Sequence, residues 1–500
     1  GLYSQAAVNS FTGTSIEGYL IIQGADIVDL SPLSALQSVG HLLEINNNGS
    51  LTNLDGLSNL ASVGDRLTIK NNALLANLDG LSNLSSVGVN LEVNNNATLT
   101  SVDGLGNLTS VGWSLKIKDN NLLTSLDGFD NLTSMPGDLE VNNNPALTTL
   151  SLNNITSMNT LDVQQNAALT TLSMSNLASA NWVFVSYNAS LTTLSLSNLT
   201  SVYGLTLGSN QALTNLYGLN NLSSVTYDLY IAGLASLTDL DGLSNLTSVG
   251  NSLTISSNPL ITSLDGLNNL TALPGNLKVS NNAALTNLVG LSNLPSVVGY
   301  LFITGNSSLT TIGLSSLTSV NGYLVDISDN ATLTNLDDIS NLTTVGGDLS
   351  VNYNGSLNSF CGLHPLLSST GLSGSFTAIE NLVNPTQQQI IDDGPCQTTA
   401  LAENDFLPKD YKLQQNYPNP FNPTTTIRYA LPERSNVKLT VFDIRGKEVR
   451  TLQELERAPG NFEVQWNGMD PIGNQMSTGV YFCRFQAGSF SQTIKMVYSR

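Results

Sequence analysis

A unit of roughly 24 residues recurs about fifteen times between Leu20 and Leu349, and no other feature of the chain restricts its fold so severely. One unit reads Leu43, Ile45, Asn48, Leu51, Leu54, Leu57, Leu60 and Val63. Later units open at Leu67, Leu91, Leu115, Leu139, Leu161, Val183, Leu205, Leu229, Leu253, Leu277, Leu301, Leu324 and Leu349. A period of this length marks a solenoid, in which each turn buries its apolar face only against its neighbours. The units opening at Leu139, Leu161 and Val183 are 22 residues long. Their bends shorten while the aliphatic columns survive, which is how stacked coils absorb length change.

The coils are predicted to be strands. Leu43 and Ile45 point one way and Glu44 the other, the alternation of a half-buried strand. The later aliphatics recur every third residue, but the residues between them are Thr, Asn, Asp, Gly and Ser, which favour bends over helix. Parallel strands stacked at about 4.8 Å predict a solenoid roughly 70 Å long.

Two asparagine columns fix the register. The first holds Asn48, Asn72, Asn96, Asn120, Asn144, Asn166, Asn188, Asn210, Asn258, Asn282, Asn306, Asn330 and Asn354, with Leu234 in the one gap. An unpaired buried amide costs about 1–3 kcal/mol, so such a column predicts amides bonded to backbone and to one another from coil to coil. The second column, from Asn59 through Asn83, Asn107, Asn131 and Asn245 to Asn341, reads as structural too. Its many Asn-x-Ser/Thr triplets follow from a required Asn beside surface Ser or Thr, and only secondarily as glycosylation acceptors.

Charge is divided unevenly. Residues 1–406 carry 5 Lys or Arg against 29 Asp or Glu, a net −24, while 407–500 carry 12 against 8, a net +4, together the chain's −20. An acidic body disfavours nucleic acid and anionic membrane surfaces, and no apolar stretch is long enough to span a bilayer. The start at Gly1 without a basic, apolar leader fits a secreted chain whose signal peptide has been removed. Cys361 and Cys396 bracket the segment after the last coil. A bridge there closes a loop worth roughly 4 kcal/mol in the chain-entropy model and is expected to cap the solenoid. Cys483 is left as a small core residue.

After Cys396 the texture changes. A polar linker over 397–410 leads to alternating runs at 437–442, 461–466, 479–485 and 493–498 separated by turn signals, which predicts a small β-sandwich. Asn416, Tyr417, Pro418, Asn419, Pro420, Phe421, Asn422 and Pro423, then Val441 to Gly446 and Gly479 to Phe482, resemble the type A C-terminal sorting domain of the type IX secretion system of Bacteroidetes and related bacteria. The resemblance implies recognition by that secretion machinery. The repeat, in units such as Leu57 to Asn72 and Leu342 to Val351, is similar to the receptor L domain family of leucine-rich β-helical modules.

Enzymatic activity is not expected. Polysaccharide-cleaving solenoids need clustered acids beside Arg, Lys or His. This one has only Arg66, Lys70, Lys116, Lys118 and Lys278 as bases, with His41 and His364 far apart. Asp55, Asp79, Asp103, Asp127, Asp241, Asp265 and Asp337 stack at one bend, where calcium is a weaker reading than ordinary Asp-Gly bend chemistry. No other cofactor or metal is expected. A Thr row from Thr52 and Thr100 to Thr334, with Ala76 as a gap, is too narrow for an ice-binding plane. Binding is expected where repetition fails, in the outward slots of the first strand. There Trp182, Phe184, Tyr187, Tyr203, Tyr227 and Tyr230 gather in the middle coils, suited to sugar stacking or a protein partner unless they only pack on one another.

The expected architecture is all-β. It comprises a right-handed leucine-rich β-solenoid of about 15 coils over 1–358, a disulfide-closed cap over 359–396, a linker over 397–410 and an Ig-like sandwich over 411–500. The expected function is a secreted, outer-surface binding or adhesion protein that recognises a glycan or protein. Self-assembly into extracellular fibres is the alternative.

Overall fold

The computed structural model describes residues 1–396, 410–457, 459–471 and 474–499. The linker expected over 397–410 lies, apart from Asp410, outside the described residues, as does Arg500. The chain divides into two compact units, Gly1–Cys396 and Gln397–Arg500.

The first unit is the solenoid. Strand Leu43–Asn46 buries Leu43 and Ile45 and turns Glu44 outward. It pairs in parallel with Leu67–Lys70, setting Leu43 opposite Leu67 and Glu44 opposite Thr68. The same register continues through Leu91 and Leu115 to Leu139, through the shorter coils at Leu161 and Val183 to Leu205, and on through Leu229, Leu253 and Leu277 to Leu301. At the next step the repeat differs from the reading that opened a unit at Leu324. Val325 lies opposite Leu301 and Leu349 and is fully buried, while Leu324 is half-buried. The coil loses a residue between Ile312 and Leu314 and gains one between Val320 and Val325, so Val325 keeps the 24-residue spacing to Leu301 and Leu349.

The Asp-Gly bends are single 3-10 turns such as Asp55–Leu57, and their glycine is required by stacking. A Cβ on Gly56 would lie 1.7 Å from the Leu30 carbonyl oxygen of the coil before, and one on Gly80 would lie 1.9 Å from that of Leu54. In the short coils this turn becomes the strands Thr149–Ser151, Thr171–Ser173 and Thr193–Ser195, paired in parallel. Losing two residues therefore converts a turn into a third sheet face without disturbing the core, where Leu150, Leu172 and Leu194 remain buried.

The first asparagine column is an amide ladder. Asn96 donates its backbone N–H to Asn120 Oδ1 at 3.0 Å and its Nδ2 to the Ile69 carbonyl at 3.0 Å; Asn120 repeats both bonds with Asn144 and Val93. Before each rung stands a residue in the left-handed region, from Asn47 at φ 53° to Asp329 at φ 58°. That conformation tolerates Asn, Asp and Gly best, and it explains the Asn-Asn doublets. Leu234 breaks the ladder, so Asn210 lacks the side-chain oxygen that its counterparts use. In the second column Asn83 and Asn107 give Nδ2 to the Ser58 and Ser82 carbonyls at 2.6 and 2.7 Å. The nitrogen that glycosylation would need is already committed there.

Both ends are covered. Helix Gln5–Asn9, capped by Ser4, buries Val8 over the first coil. At the other end the parallel ladder runs on past residue 358. Strand Phe376–Ile379 pairs with Asp348–Asn352, and Asn381 adds a rung by accepting from Asn354 at 3.0 Å. Asn384 then closes the row by accepting from Asn381. The Cys361–Cys396 disulfide joins this region to its final residue, at a Cα separation of 4.6 Å.

The second unit holds two antiparallel sheets. Lys412–Leu413, Thr425–Leu431 and Gly460–Trp466 form one. Glu448–Arg457, Ser435–Asp443, Gly479–Ala487 and Phe490–Tyr498 form the other. Tyr429, Trp466, Phe485 and Cys483 lie between them, and burial pushes the Cys483 thiol up to about 12.

Candidate functional site

The outward slots of the first strand line up because each strand pairs with the next in one register, so a row of side chains crosses the sheet. Its first half is polar. Lys70 pairs with Glu44 at 2.8 Å, and Glu140 takes both Lys116, at 2.7 Å, and Lys118. Hydrogen bonding to Lys70 holds the Glu44 carboxyl below its ordinary range, with burial opposing. At Glu140 burial favours the neutral form, but the two lysines outweigh it and the carboxyl is again lowered. Asp162 accepts from Asn142 and Gln164 at 3.0 and 2.6 Å.

From Phe184 onward rings enter the row, at Phe184, Tyr230 and Phe302, and Trp182 joins them from the slot before the strand. Trp182 stacks on Phe184 at 5.5 Å and meets Tyr203 and Tyr227 edge-on at 4.9 and 6.1 Å, while Tyr203 and Tyr227 stack at 5.3 Å. Gly204 makes this possible, because a Cβ there would lie 2.3 Å from the Trp182 ring. Four of the six rings picked out in the sequence thus form one cluster that keeps Tyr203 and Tyr227 about 40% exposed. Tyr230 forms a ridge between two depressions. Tyr187 lies on its far side in the left-handed region at φ 59°, a position that costs a tyrosine about 1 kcal/mol or more.

Beside Tyr230 runs a trough of about 630 Å³. Its floor is polar and preordered. Asp228 Oδ1 accepts from Asn251 Nδ2 at 2.8 Å and from the Ser252 N–H at 2.9 Å, and Asn276 donates to Ser252 Oγ at 3.0 Å. Asp228, Asn251 and Asn276 were not singled out from the sequence, because they precede the strand and carry no alternation. Reading the slot just before the strand as a column from Trp182 would have found Asp228, Ser252 and Asn276, with Asn251 one residue earlier.

The remaining candidates are placed elsewhere. Asp55, Asp79, Asp103, Asp127, Asp241, Asp265 and Asp337 each open a 3-10 turn, one per coil. Burial, then Asp239 and Asp265, pushes the Asp241 carboxyl up. Among the described residues the group of metal-ligand type drawn together is Asp337 with Cys361 and Cys396, whose sulfurs are bonded to each other. His41 and His364 sit in the second coil and in the cap.

In the second unit the loop from Asn416 to Pro423 is tied to its own domain. Phe421 is buried against Trp466 and Tyr498 at 5.4 and 5.0 Å. Asn416 Nδ2 donates to Thr425 Oγ1, whose hydroxyl donates to the Pro418 carbonyl. Asn419 accepts from the Val497 N–H at 2.8 Å. Tyr417 is left 78% exposed.

Residues 422–489 match the FlgD Ig-like domain family. The chain is similar to the functional domain of InlJ from Listeria monocytogenes, which includes a cysteine ladder, with 16% identity, 96% of this chain and 94% of that chain covered, and a TM-score of 0.20. A likeness that weak carries no structural weight, and the solenoid rests on its own strand register. No curated protein matches the chain. The chain is thus a parallel β-solenoid followed by a unit similar to the FlgD Ig-like domain.

Proposed function

We propose that this is a secreted, non-catalytic carbohydrate-binding protein whose ligand lies in the trough beside Tyr230, on the aromatic half of the strand face. The observation that carries the reading is the pairing of exposed rings with a fixed polar floor. A pyranose offers a C–H face to an aromatic ring and a rim of hydroxyls to carboxylate and amide groups, and the Trp182 cluster and the floor around Asp228 supply both. A protein partner of standard size calls for a broader apolar patch with a desolvated centre, and a narrow trough suits a chain ligand better.

An extracellular setting is supported by the Cys361–Cys396 disulfide. Among the described residues no helix is long and apolar enough to cross a membrane. We read the second unit as a type IX sorting domain whose exposed Tyr417 and surrounding loop meet the secretion machinery. Fibre assembly is the weaker reading, because Val8 and the segment ending at Cys396 cover the apolar ends that head-to-tail stacking would use.

Affinity electrophoresis of the full chain through gels containing xylan, mannan, or β-1,3- or β-1,4-glucan tests the proposal. Retardation by at least one polysaccharide, lost in Trp182→Ala and kept in Glu140→Gln, is expected. Retardation by none, or equal retardation of both variants, overturns it.

A further inference from the structure

Resting on the carbohydrate reading above, we infer that the trough leads at Tyr300 to a second stacking subsite, built by Tyr300 and Phe302 with Tyr323, and that the protein selects extended polysaccharide chains over short saccharides. Tyr300 and Phe302 lie 4.5 Å apart, and Tyr323 meets Tyr300 edge-on at 6.0 Å with 70% of its surface exposed. This repeats the arrangement at Trp182, Phe184 and Tyr203. A ring in the slot before the strand meets a ring in the outward slot, and a third ring meets the first edge-on.

The two clusters belong to one surface. Trp182, Phe184 and Tyr300 all line the same trough. Phe184 and Phe302 occupy one cross-strand row, through Thr206, Tyr230, Thr254 and Lys278. Five steps at about 4.8 Å separate them by roughly 24 Å. The second cluster is held as firmly as the first, since Asn276 Oδ1 accepts from the Tyr300 N–H at 3.1 Å while its Nδ2 holds Ser252. A hydrogen-bonded floor therefore runs from Asp228 to the backbone of Tyr300. A saccharide of two or three units engages one cluster, and only a longer chain running across the strands engages both. Linked subsites on a rigid scaffold raise affinity without new contact types, because the second engagement is intramolecular.

Isothermal titration calorimetry of the full chain with the trimer and hexamer of cello-, xylo-, manno- and laminari-oligosaccharides tests this, using the wild type, Trp182→Ala and the double variant Tyr300→Ala/Phe302→Ala. Thermal unfolding of each variant provides the folding control. In at least one series the wild type is expected to bind the hexamer about tenfold or more tighter than the trimer. The double variant should bind that hexamer no better than the trimer while keeping its trimer affinity. Equal hexamer affinity in the double variant and wild type, with loss in Trp182→Ala, overturns the second subsite and leaves the carbohydrate reading standing. No binding by the wild type in any series overturns both.

Discussion

The two halves of the strand face share a backbone and differ in what they display. From Glu44 to Asp162 the outward row is closed on itself by ion pairs and amide bonds. From Trp182 to Tyr323 it presents rings over a polar floor. Beneath both run the same amide ladder, interrupted once at Leu234 under the aromatic half, the same left-handed residue after each strand and the same aliphatic columns. A scaffold this repetitive does not by itself account for the difference, and the proposed binding role does. The polar half also serves as an internal control.

The largest expected effect probes the shared part. Asn120→Ala beneath the polar half and Asn282→Ala beneath the aromatic half each remove a side-chain oxygen that accepts two bonds from the preceding rung. Two donors and the Val93 or Ile255 carbonyl lose their partner in each, so each should cost about 5 kcal/mol, read as faster hydrogen exchange in the adjoining strands. Similar losses mean that the scaffold is equivalent, and a much smaller loss under the rings would break the comparison.

Next in size is the closing bond. Replacing Cys361 and Cys396 by Ser should cost roughly 4 kcal/mol in the chain-entropy model. The loss should stay confined to the last coils, since solenoid stability is a sum of neighbour terms. Exchange rates near Asn354 should rise, and those near Asn120 should not.

A smaller effect sharpens the comparison at the surface. In Gly204→Ala the new methyl must displace the Trp182 ring, so polysaccharide retardation should fall severalfold with little change in unfolding temperature.

The smallest effect is the response to acid. Glu44 and Glu140 have lowered carboxyls, so their stabilisation is present above the unfolded value and lost as pH falls through the lowered folded values. Asp241 is raised, so its contribution is present at low pH and lost as pH rises through its folded value. Between neutral pH and about pH 3, hydrogen exchange corrected for its intrinsic rate should speed up around Glu44 and Glu140 and slow slightly around Asp241. Glu44 and Glu140 keep 19% and 17% of their side-chain surface exposed and pair with solvent-accessible lysines, so the changes should be about 1 kcal/mol or less.

Much of this was legible in the sequence because a repeat reports each structural requirement many times. The asparagine and aliphatic columns could be read as ladders before any coordinates. What escaped was set by contacts between coils. The glycine after each bend aspartate looked like turn chemistry but answers to a carbonyl in the coil before, which no single unit displays. Leu324 looked like the aliphatic of its unit, and Val325 holds that place because the preceding bend gained a residue. Asn381 was missed because its rung comes 27 residues after Asn354, off the period. At the site, Trp182 and its neighbours drew notice by density. Tyr300, Phe302 and Tyr323 lie farther along the same rows, and the trough joins them to the first cluster through Tyr300.

The central claim, that the aromatic half of the strand face is the sugar-binding surface, is tested most directly by the fluorescence of Trp182 in a Trp113→Phe variant of the full chain. Trp466 remains as a buried, constant background. Titration with xylan, mannan and the β-glucans should shift the emission to the blue and shield it from acrylamide for each polysaccharide that retards the protein in gels. Retardation without any change in emission or quenching would contradict the account.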